Sequence, residues 1–412
     1  MIRTMNRPLT ICSDACERAR QVMSVLRLTV IHPALRGGVF SGVLAFTVAT
    51  PALSAPAPIN SEFSDDQVLL TLPDLSATQP SDIRTAEQLA AQVKTHLQQA
   101  RSDGDPRFLG YAQRLLQDWP AERMTDRLRV LRATLWQSLH RFDDARADLN
   151  LVLASDGDSR NQIQALLTLA NLEIVQGRYE SALAACSLLE KLYPGLIAAS
   201  CQAQVLARTG QAGAAYKDLK SLAQQDQYRN NITAMLWVEG TLADIAAQLG
   251  QPEAERHWRK VLALDPNDLY SRTQLADWLI QAERYNQAIA LTEGYNDVDS
   301  LAVLRAIALQ VTGSEQAKDL VETLHERFSE ARWRGNLLHQ RDYARFLLDL
   351  KQQPDEALKY ARGNWQDQRE PMDTRLLLRT ANASGDADVA NSTNEWLATI
   401  NQRDARYPEV RP

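Results

Sequence analysis

From Ser81 onward the apolar positions recur with helical rather than alternating spacing. Ala86, Leu89, Ala90, Val93, Leu97 and Ala100 fall at i, i+3, i+4, i+7, i+11 and i+14, which is one face of a helix. The pattern is then interrupted at regular intervals. Short turns centred on Gly or a polar residue are each followed about five positions later by an alanine. The pairs are His140 and Ala145, Gly177 and Ala182, Gly210 and Ala215, Gly250 and Ala254, then Glu283 and Ala288. Weaker copies follow at Gly313 and Ala317, Gln352 and Ala357, Gly385 and Ala390. Those alanines lie 29 to 40 residues apart with a mean of 35, and insertions confined to inter-helix turns would produce that scatter. A period near 34 in helix–turn–helix units predicts stacked antiparallel helix pairs. One more hairpin precedes the series: Ala112 lies 33 residues before Ala145. Gly104 suits the residue after a helix end, Asp105 an N-cap and Pro106 a first helical position.

The second copy carries Leu166, Leu169-Ala170, Gly177, Tyr179, Ala182 and Pro194. The fifth carries Leu275-Ala276, Leu279, Tyr285 and Ala288, and the fourth closes on Trp258-Arg-Lys-Val-Leu-Ala-Leu-Asp-Pro266. On these residues the chain resembles the tetratricopeptide repeat (TPR) family over 121–400. The resemblance implies an all-α fold, a TPR-like α-solenoid whose antiparallel helix pairs wind into a right-handed superhelix of about eight repeats. Small residues let the two helices of a pair approach, Tyr179 or Trp258 fills the gap between neighbours, and Pro194 and Pro266 stop the second helix. Copies six to eight lack those aromatics and the closing Pro. The stretch GDPRFLGYA (104–112), Trp119 and the run from Arg132 to Ala145 resemble a subgroup of proteobacterial exported TPR proteins, which implies no catalytic residue.

The front of the chain breaks the helical picture. Residues 1–36 hold six arginines and two acids, and residues 37–49 read GGVFSGVLAFTVA without a charge, followed by TPALSAPAP. A basic region, a short apolar run and small residues at a break make a secretory signal. Thirteen residues are too few to cross a hydrocarbon core of about 30 Å. The expected division is a signal peptide over 1–54, with translation starting at Met1 or Met23, and a flexible linker over 55–82. A helical cap over 83–120, the array over 121–400 and a tail over 401–412 follow. Export to the periplasm or the secreted space is the expectation; a buried amphipathic helix or an uncleaved anchor is the alternative.

Over 412 residues, 45 Lys+Arg stand against 51 Asp+Glu, a net charge of −6. Without residues 1–54 the balance is 39 against 49, or −10. An acidic chain carries no electrostatic footprint for nucleic acid. Two cysteines remain after the signal, Cys186 and Cys201, equidistant from the turn at Tyr193-Pro194. In an antiparallel pair they could face each other, and an oxidising compartment permits a disulfide; two unpaired small core residues are the alternative. The remaining histidines show no metal spacing, and no nucleophile elbow, Walker loop or dinucleotide fingerprint occurs, so no metal, cofactor or catalytic residue is expected.

The resemblance implies that the first helix of each pair lines the inner face, with the ninth repeat position reaching into the groove. Those residues are Thr134, Asn171, Gln204, Asp244, Asp277, Ile307 and Arg345, with Gln137, Tyr270 and Arg341 beside them. Mixed amides, acids and bases suit recognition of an extended polypeptide, although each taken singly is equally a solvated helix face. The family's carboxylate clamp is not matched, since Leu167 stands where Asn171 would need a basic partner. A protein-binding scaffold is therefore the leading expectation. A peripheral accessory factor of an envelope membrane complex is the second, and a metal chaperone or enzyme, with almost no support in the residues, the third.

Overall fold

The computed structural model describes residues 85–408 except 229 and 336. The expected signal peptide and linker lie outside them. The described residues are helical pairs joined by tight turns: α1 (Ala86–Asp103) with α2 (Arg107–Gln117), α3 (Asp126–Ser138) with α4 (Phe142–Leu153), and α5 (Ser159–Val175) with α6 (Tyr179–Leu192). Next come α7 (Leu196–Leu206) with α8 (Ala212–Ala223), α9 (Ile232–Gln248) with α10 (Glu253–Leu264), and α11 (Leu269–Gln281) with α12 (Tyr285–Leu291). The last are α13 (Asp299–Val311) with α14 (Gln316–Trp333), α15 (Gln340–Asp349) with α16 (Pro354–Asp367), and α17 (Pro371–Ser384) with α18 (Ala387–Thr399).

One backbone device makes every pair in the repeat series. His140, Gly177, Gly210, Gly250, Glu283, Gly313, Gln352 and Gly385, the turn residues read from the sequence, all have positive φ. A left-handed residue ends the first helix, and in six of the eight pairs the next N–H turns back to a carbonyl five residues earlier, whereas the Gln353 N–H reaches six residues back to Leu347. Arg141 bonds Trp136 at 2.8 Å, Arg178 bonds Glu173 at 2.8 Å and Arg284 bonds Leu279 at 2.8 Å. The chain thus reverses within a few residues and the second helix starts at once. The alanine that follows can then sit against the first helix: Ala145, Ala182, Ala254, Ala288 and Ala357 are all fully buried. Five of the first helices begin on Thr, Asp or Asn side-chain caps. Thr85, Thr125, Asp158, Asn231 and Asp268 each accept a backbone N–H of the opening turn.

The uneven period has a local cause. The shortest interval, between Ala288 and Ala317, spans α12, which has only 7 residues; the longest, between Ala317 and Ala357, spans α14, which has 18. The last copies lack the family's aromatics but not aromatic packing. Phe328, Tyr343 and Phe346 meet there with ring centres 5.1 to 6.2 Å apart, and Trp365 meets Trp396 edge-on at 5.1 Å.

First helices of successive pairs pack on one another: α3 on α5, α5 on α7, α7 on α9, α11 on α13, α13 on α15 and α15 on α17. They therefore form the inner side of the stack. The architecture is a TPR-like α-solenoid of antiparallel helix pairs, with a series of buried apolar clusters between neighbouring helices along the stack. Both ends fold back onto the middle of the array. The turn at Gly104 touches Leu269 and Val298, and the Arg369 N–H donates to the Val175 carbonyl at 2.7 Å. The stretch 401–407, expected as a tail, runs across the turns at Gly210 and Gly250. The Ala405 N–H donates to the Gln248 carbonyl at 2.8 Å, and Gln248 Nε2 donates to the Arg403 carbonyl at 2.7 Å. Behind them Tyr179 Oη donates to Gln402 Oε1 at 3.2 Å.

Candidate functional site

The residues expected in the groove divide into two sets. In the first half of the array they sit on α3, α5 and α7 and keep polar groups on the inner surface. Thr134 is half-buried and its hydroxyl donates to the Val130 carbonyl at 2.9 Å. Gln137 is half-buried and Asn171 exposed, and neither side-chain amide has a hydrogen-bond partner among the described residues. Gln204 Nε2 donates to Thr241 Oγ1 at 3.1 Å, bridging α7 to α9.

In the second half the same repeat position is turned into internal wiring. Asp277 is 1% exposed; its Oδ1 accepts from Arg345 Nη1 at 2.5 Å and its Oδ2 from Arg375. Burial works against the charge, yet the two guanidiniums hold the carboxyl far below the usual carboxylate range. Arg345 continues through Nε to Asp349 at 2.9 Å, and Asp349 accepts from Arg379 at 2.5 Å. Arg341 lies 3.4 Å from Asp373, 3.7 Å from Glu370 and 3.8 Å from Asp342. Ile307 is buried core. Neither Asp277 nor Arg345 is displayed as a free side chain.

Asp244 stands between the two sets. Its Oδ1 accepts from Trp258 Nε1 at 3.2 Å and its Oδ2 from Tyr270 Oη at 2.9 Å. Burial pushes the carboxyl up to about 6, against the opposing pull of Arg208, Tyr270, Arg406 and Trp258. Tyr270 is 46% exposed and faces a cavity of about 270 Å3. Leu109 and Gly104 of the first hairpin, Leu269, Val298, Leu338, Arg341 and Met372 also line that cavity. Next to it lies a smaller void of about 20 Å3 among α11, α13, α15 and α17, bordered by Arg341, Arg345, Arg375 and Arg379.

Arg375, Arg379, Asp349 and Asp373 were not among the expected groove residues. For three of them the sequence carries a charged pair at i and i+4, Arg345 with Asp349 and Arg375 with Arg379. A second buried polar chain runs from Tyr216 Oη to His257 Nε2 (3.0 Å) and from His257 Nδ1 to Glu239 Oε2 (2.5 Å). Lys260 Nζ closes on Glu239 Oε1 at 2.5 Å. His257 and Glu239 are at most 5% exposed, so the chain ties α8, α9 and α10 together inside the core. Among the described residues no group of His, Cys, Asp and Glu could hold a metal ion, and no helix is long and apolar enough to cross a membrane. Cys186 and Cys201 form a disulfide between α6 and α7, with Cα atoms 5.6 Å apart.

No protein-family model matches the chain, and no curated protein matches it. Solved structures do. The human IFIT1 dimer with PPP-AAAA is 13% identical with a TM-score of 0.40, covering 76% of this chain and 84% of that one. A Rap protein complexed with competence and sporulation factor is 10% identical with a TM-score of 0.41, covering 76% and 98%. The TPR domain of P58(IPK) is 16% identical with a TM-score of 0.18, covering 72% and 88%. The TPR-like class rests on the hairpins themselves: the left-handed turn, the alanine behind it and the inner row of first helices.

Proposed function

We propose that the protein is a non-catalytic scaffold, exported to the periplasm or the secreted space, that holds an extended polypeptide partner on its inner surface. The observation that carries this reading is the way the fold treats its own residues 401–407. Gln248 holds that segment by main-chain contacts alone: its own carbonyl accepts the Ala405 N–H, and its side-chain Nε2 donates to the Arg403 carbonyl, with no dependence on the segment's side chains. A glutamine or asparagine amide can donate in this way to any extended chain, and it carries an acceptor as well. Gln137 and Asn171 present the same chemistry on α3 and α5 with their amides uncommitted among the described residues. Thr134 and Gln204 flank them. The proposed contact strip is therefore Thr134, Gln137, Asn171 and Gln204, with Asp244 and Tyr270 at its end.

The test is site-specific photo-crosslinking in the producing cell, from positions 137 and 171 and from Trp333, which is 87% exposed at the end of α14. A discrete adduct from 137 and 171 that is absent from 333, with its peptide identified by mass spectrometry, is the expected result. Equal adducts from all three positions would sink the reading. Mass determination of the mature N-terminus in the same cells tests export: a start near residue 55 is expected, and an intact Met1 or Met23 in the cytoplasm overturns it.

A further inference from the structure

Asn401, at φ 59°, lies just past the end of α18 in the left-handed region, and residues 402–407 leave the helix there. Their sequence, Gln-Arg-Asp-Ala-Arg-Tyr, contains no Val, Leu, Ile, Met or Phe to anchor them, and Tyr407 is only half-buried. Gln402 and Asp404 are buried, yet each has a partner inside the segment. Gln402 Nε2 donates to Tyr407 Oη at 2.8 Å, and Arg406 Nη2 donates to Asp404 Oδ2 at 2.7 Å. Those bonds travel with the segment if it moves. The bonds that tie it to the body are the Ala405 N–H on the Gln248 carbonyl, Gln248 Nε2 on the Arg403 carbonyl, and Tyr179 Oη on Gln402 Oε1. An open cleft of about 640 Å3 adjoins them, lined by Gly210, Gln248 and Leu249 of the body and by Asn401, Arg403 and Ala405 of the segment. A segment so thinly anchored belongs to the low-stability end of a fold, where opening is local rather than global.

The surface beneath the segment is built to hold a main chain. Gln248 follows Asp244 by four residues on α9, one turn further along the same face as the end of the contact strip. Its amide is 2% exposed and fixed from both sides: Oε1 accepts from Arg208 Nη1 at 2.8 Å, and Nε2 also donates to the Ala207 carbonyl at 2.7 Å. We propose that residues 401–407 are a displaceable internal ligand, and that a non-helical segment of the polypeptide partner takes their place on Gln248 and over Gly250. The proposal rests on the polypeptide reading above and adds its regulation: the chain covers the end of its own contact strip until a partner segment competes it away. Any such segment can supply the N–H and the carbonyl, two residues apart, that Gln248 engages. The crossing at Gly250 is so close that a Cβ there would stand 2.9 Å from the Ala405 Cβ, so the track needs glycine at 250. Flanking side chains larger than Asn401 and Ala405 find room in the cleft, and that gives a partner its advantage over the tethered segment.

Two measurements on the full chain test it. In the parent, the Ala405 amide should exchange its hydrogen at least about tenfold faster than the Gln251 and Arg284 amides, which are held inside the repeat turns. Equal protection would mean that the segment opens only with the whole fold, and would overturn the proposal. Fluorescence anisotropy then follows a labelled peptide of residues 400–408. Ala405→Pro removes the N–H that the Gln248 carbonyl accepts and changes nothing in the body. This variant should bind the peptide saturably and at least about tenfold tighter than the parent, in which the tethered segment competes at high effective concentration. Adding Gly250→Ala should abolish that binding. Adding Gly313→Ala, which brings the same left-handed strain with open space around it, should leave binding unchanged. Equal binding by the parent and Ala405→Pro, binding by neither, or loss through Gly313→Ala as well as Gly250→Ala would each overturn the proposal. The titration needs no cellular partner and the crosslinks from positions 137 and 171 need no peptide, so failure of the one is distinguishable from failure of the other.

Discussion

Gly250 and Ala405 meet with no room for a methyl group between them: a Cβ on Gly250 would stand 2.9 Å from the Ala405 Cβ. Gly210 has the same relation to Asn401, at 3.0 Å from its Cβ and carbonyl oxygen, and Gly177 to Trp396, also at 3.0 Å. Gly313 and Gly385 hold the same left-handed turn with open space around them. Glycine at 177, 210 and 250 therefore serves twice, once for the turn and once for the C-terminal segment that crosses it.

That double role separates two substitutions with the same local strain. Gly313→Ala should cost about 1 kcal/mol, the penalty for a left-handed non-glycine residue. Gly250→Ala should cost more and should also lift 401–407 off its track. Trypsin cleavage after Arg403 and Arg406 reads the difference: it should accelerate several-fold in Gly250→Ala and stay at the parental rate in Gly313→Ala. Equal rates in both variants would show that Gly250 matters for the turn alone.

The Cys186–Cys201 bridge closes a loop of 15 residues around the α6–α7 turn. Closing such a loop stabilises by about 3 kcal/mol in the chain-entropy model. Urea unfolding of the oxidised protein against the Cys186→Ala/Cys201→Ala double variant should show a loss of that order. Reduction of the parent should give the same loss, and no change in the double variant.

How much of this could be read from the chain depends on the range of the contact. The eight turn residues were legible because a left-handed turn followed by a close alanine leaves a local mark every 35 residues or so. The disulfide was legible as symmetry about the Tyr193-Pro194 turn. Closure of the solenoid on itself was not. Tyr179 meets Gln402 across 223 residues and Gln248 meets Arg403 across 155, distances at which no periodicity survives. Asp277 illustrates the consequence. Its place on the inner face followed from the repeat, but Arg375, which reaches it from 98 residues away, leaves it buried.

Asp244 should make the protein less stable as pH rises through the weakly acidic range. Its carboxyl is raised from an ordinary value of 3.8 to about 6. A raised acid favours the folded state while protonated, so its contribution is complete below about pH 4 and lost as pH rises through about 6. Asp244→Asn keeps an acceptor for Trp258 and a donor for the Tyr270 oxygen, and removes the titration. The variant should gain about 1–2 kcal/mol over the parent at pH 7.5 and nothing at pH 4. Chemical denaturation at both values checks it; a gain that does not change with pH would point to packing instead.

Glu283 and Gln352 occupy left-handed turn positions without being glycine, at φ 57° and 55°. Glu283 is exposed, so Glu283→Gly should relieve backbone strain and raise stability by about 0.5–1 kcal/mol, after the larger unfolded-state entropy of glycine is set against it. Gln352 donates from Nε2 to the Asp349 carbonyl at 3.1 Å, a contact that glycine would lose. Gln352→Gly should therefore gain less. Thermal melts of the two single variants rank them directly, and the reverse order would mean that the side-chain bond contributes nothing.

Asp277 offers the sharpest contrast between removing one charge and removing a set. Asp277→Leu leaves Arg345 and Arg375 facing each other without their shared acceptor and should cost about 3–5 kcal/mol. Adding Arg375→Met removes one of the stranded guanidiniums, so the double variant should recover part of that loss rather than add to it. Since the arginines hold the Asp277 carboxyl below its ordinary range, its stabilisation is complete above about pH 4 and fades only as the medium becomes strongly acid. The gap between parent and Asp277→Leu should therefore be constant from pH 5 to 8 and narrow below pH 3. A double-mutant cycle at pH 7 and pH 3 measures both effects, and strictly additive losses would show that Asp277 and Arg375 do not act as a pair.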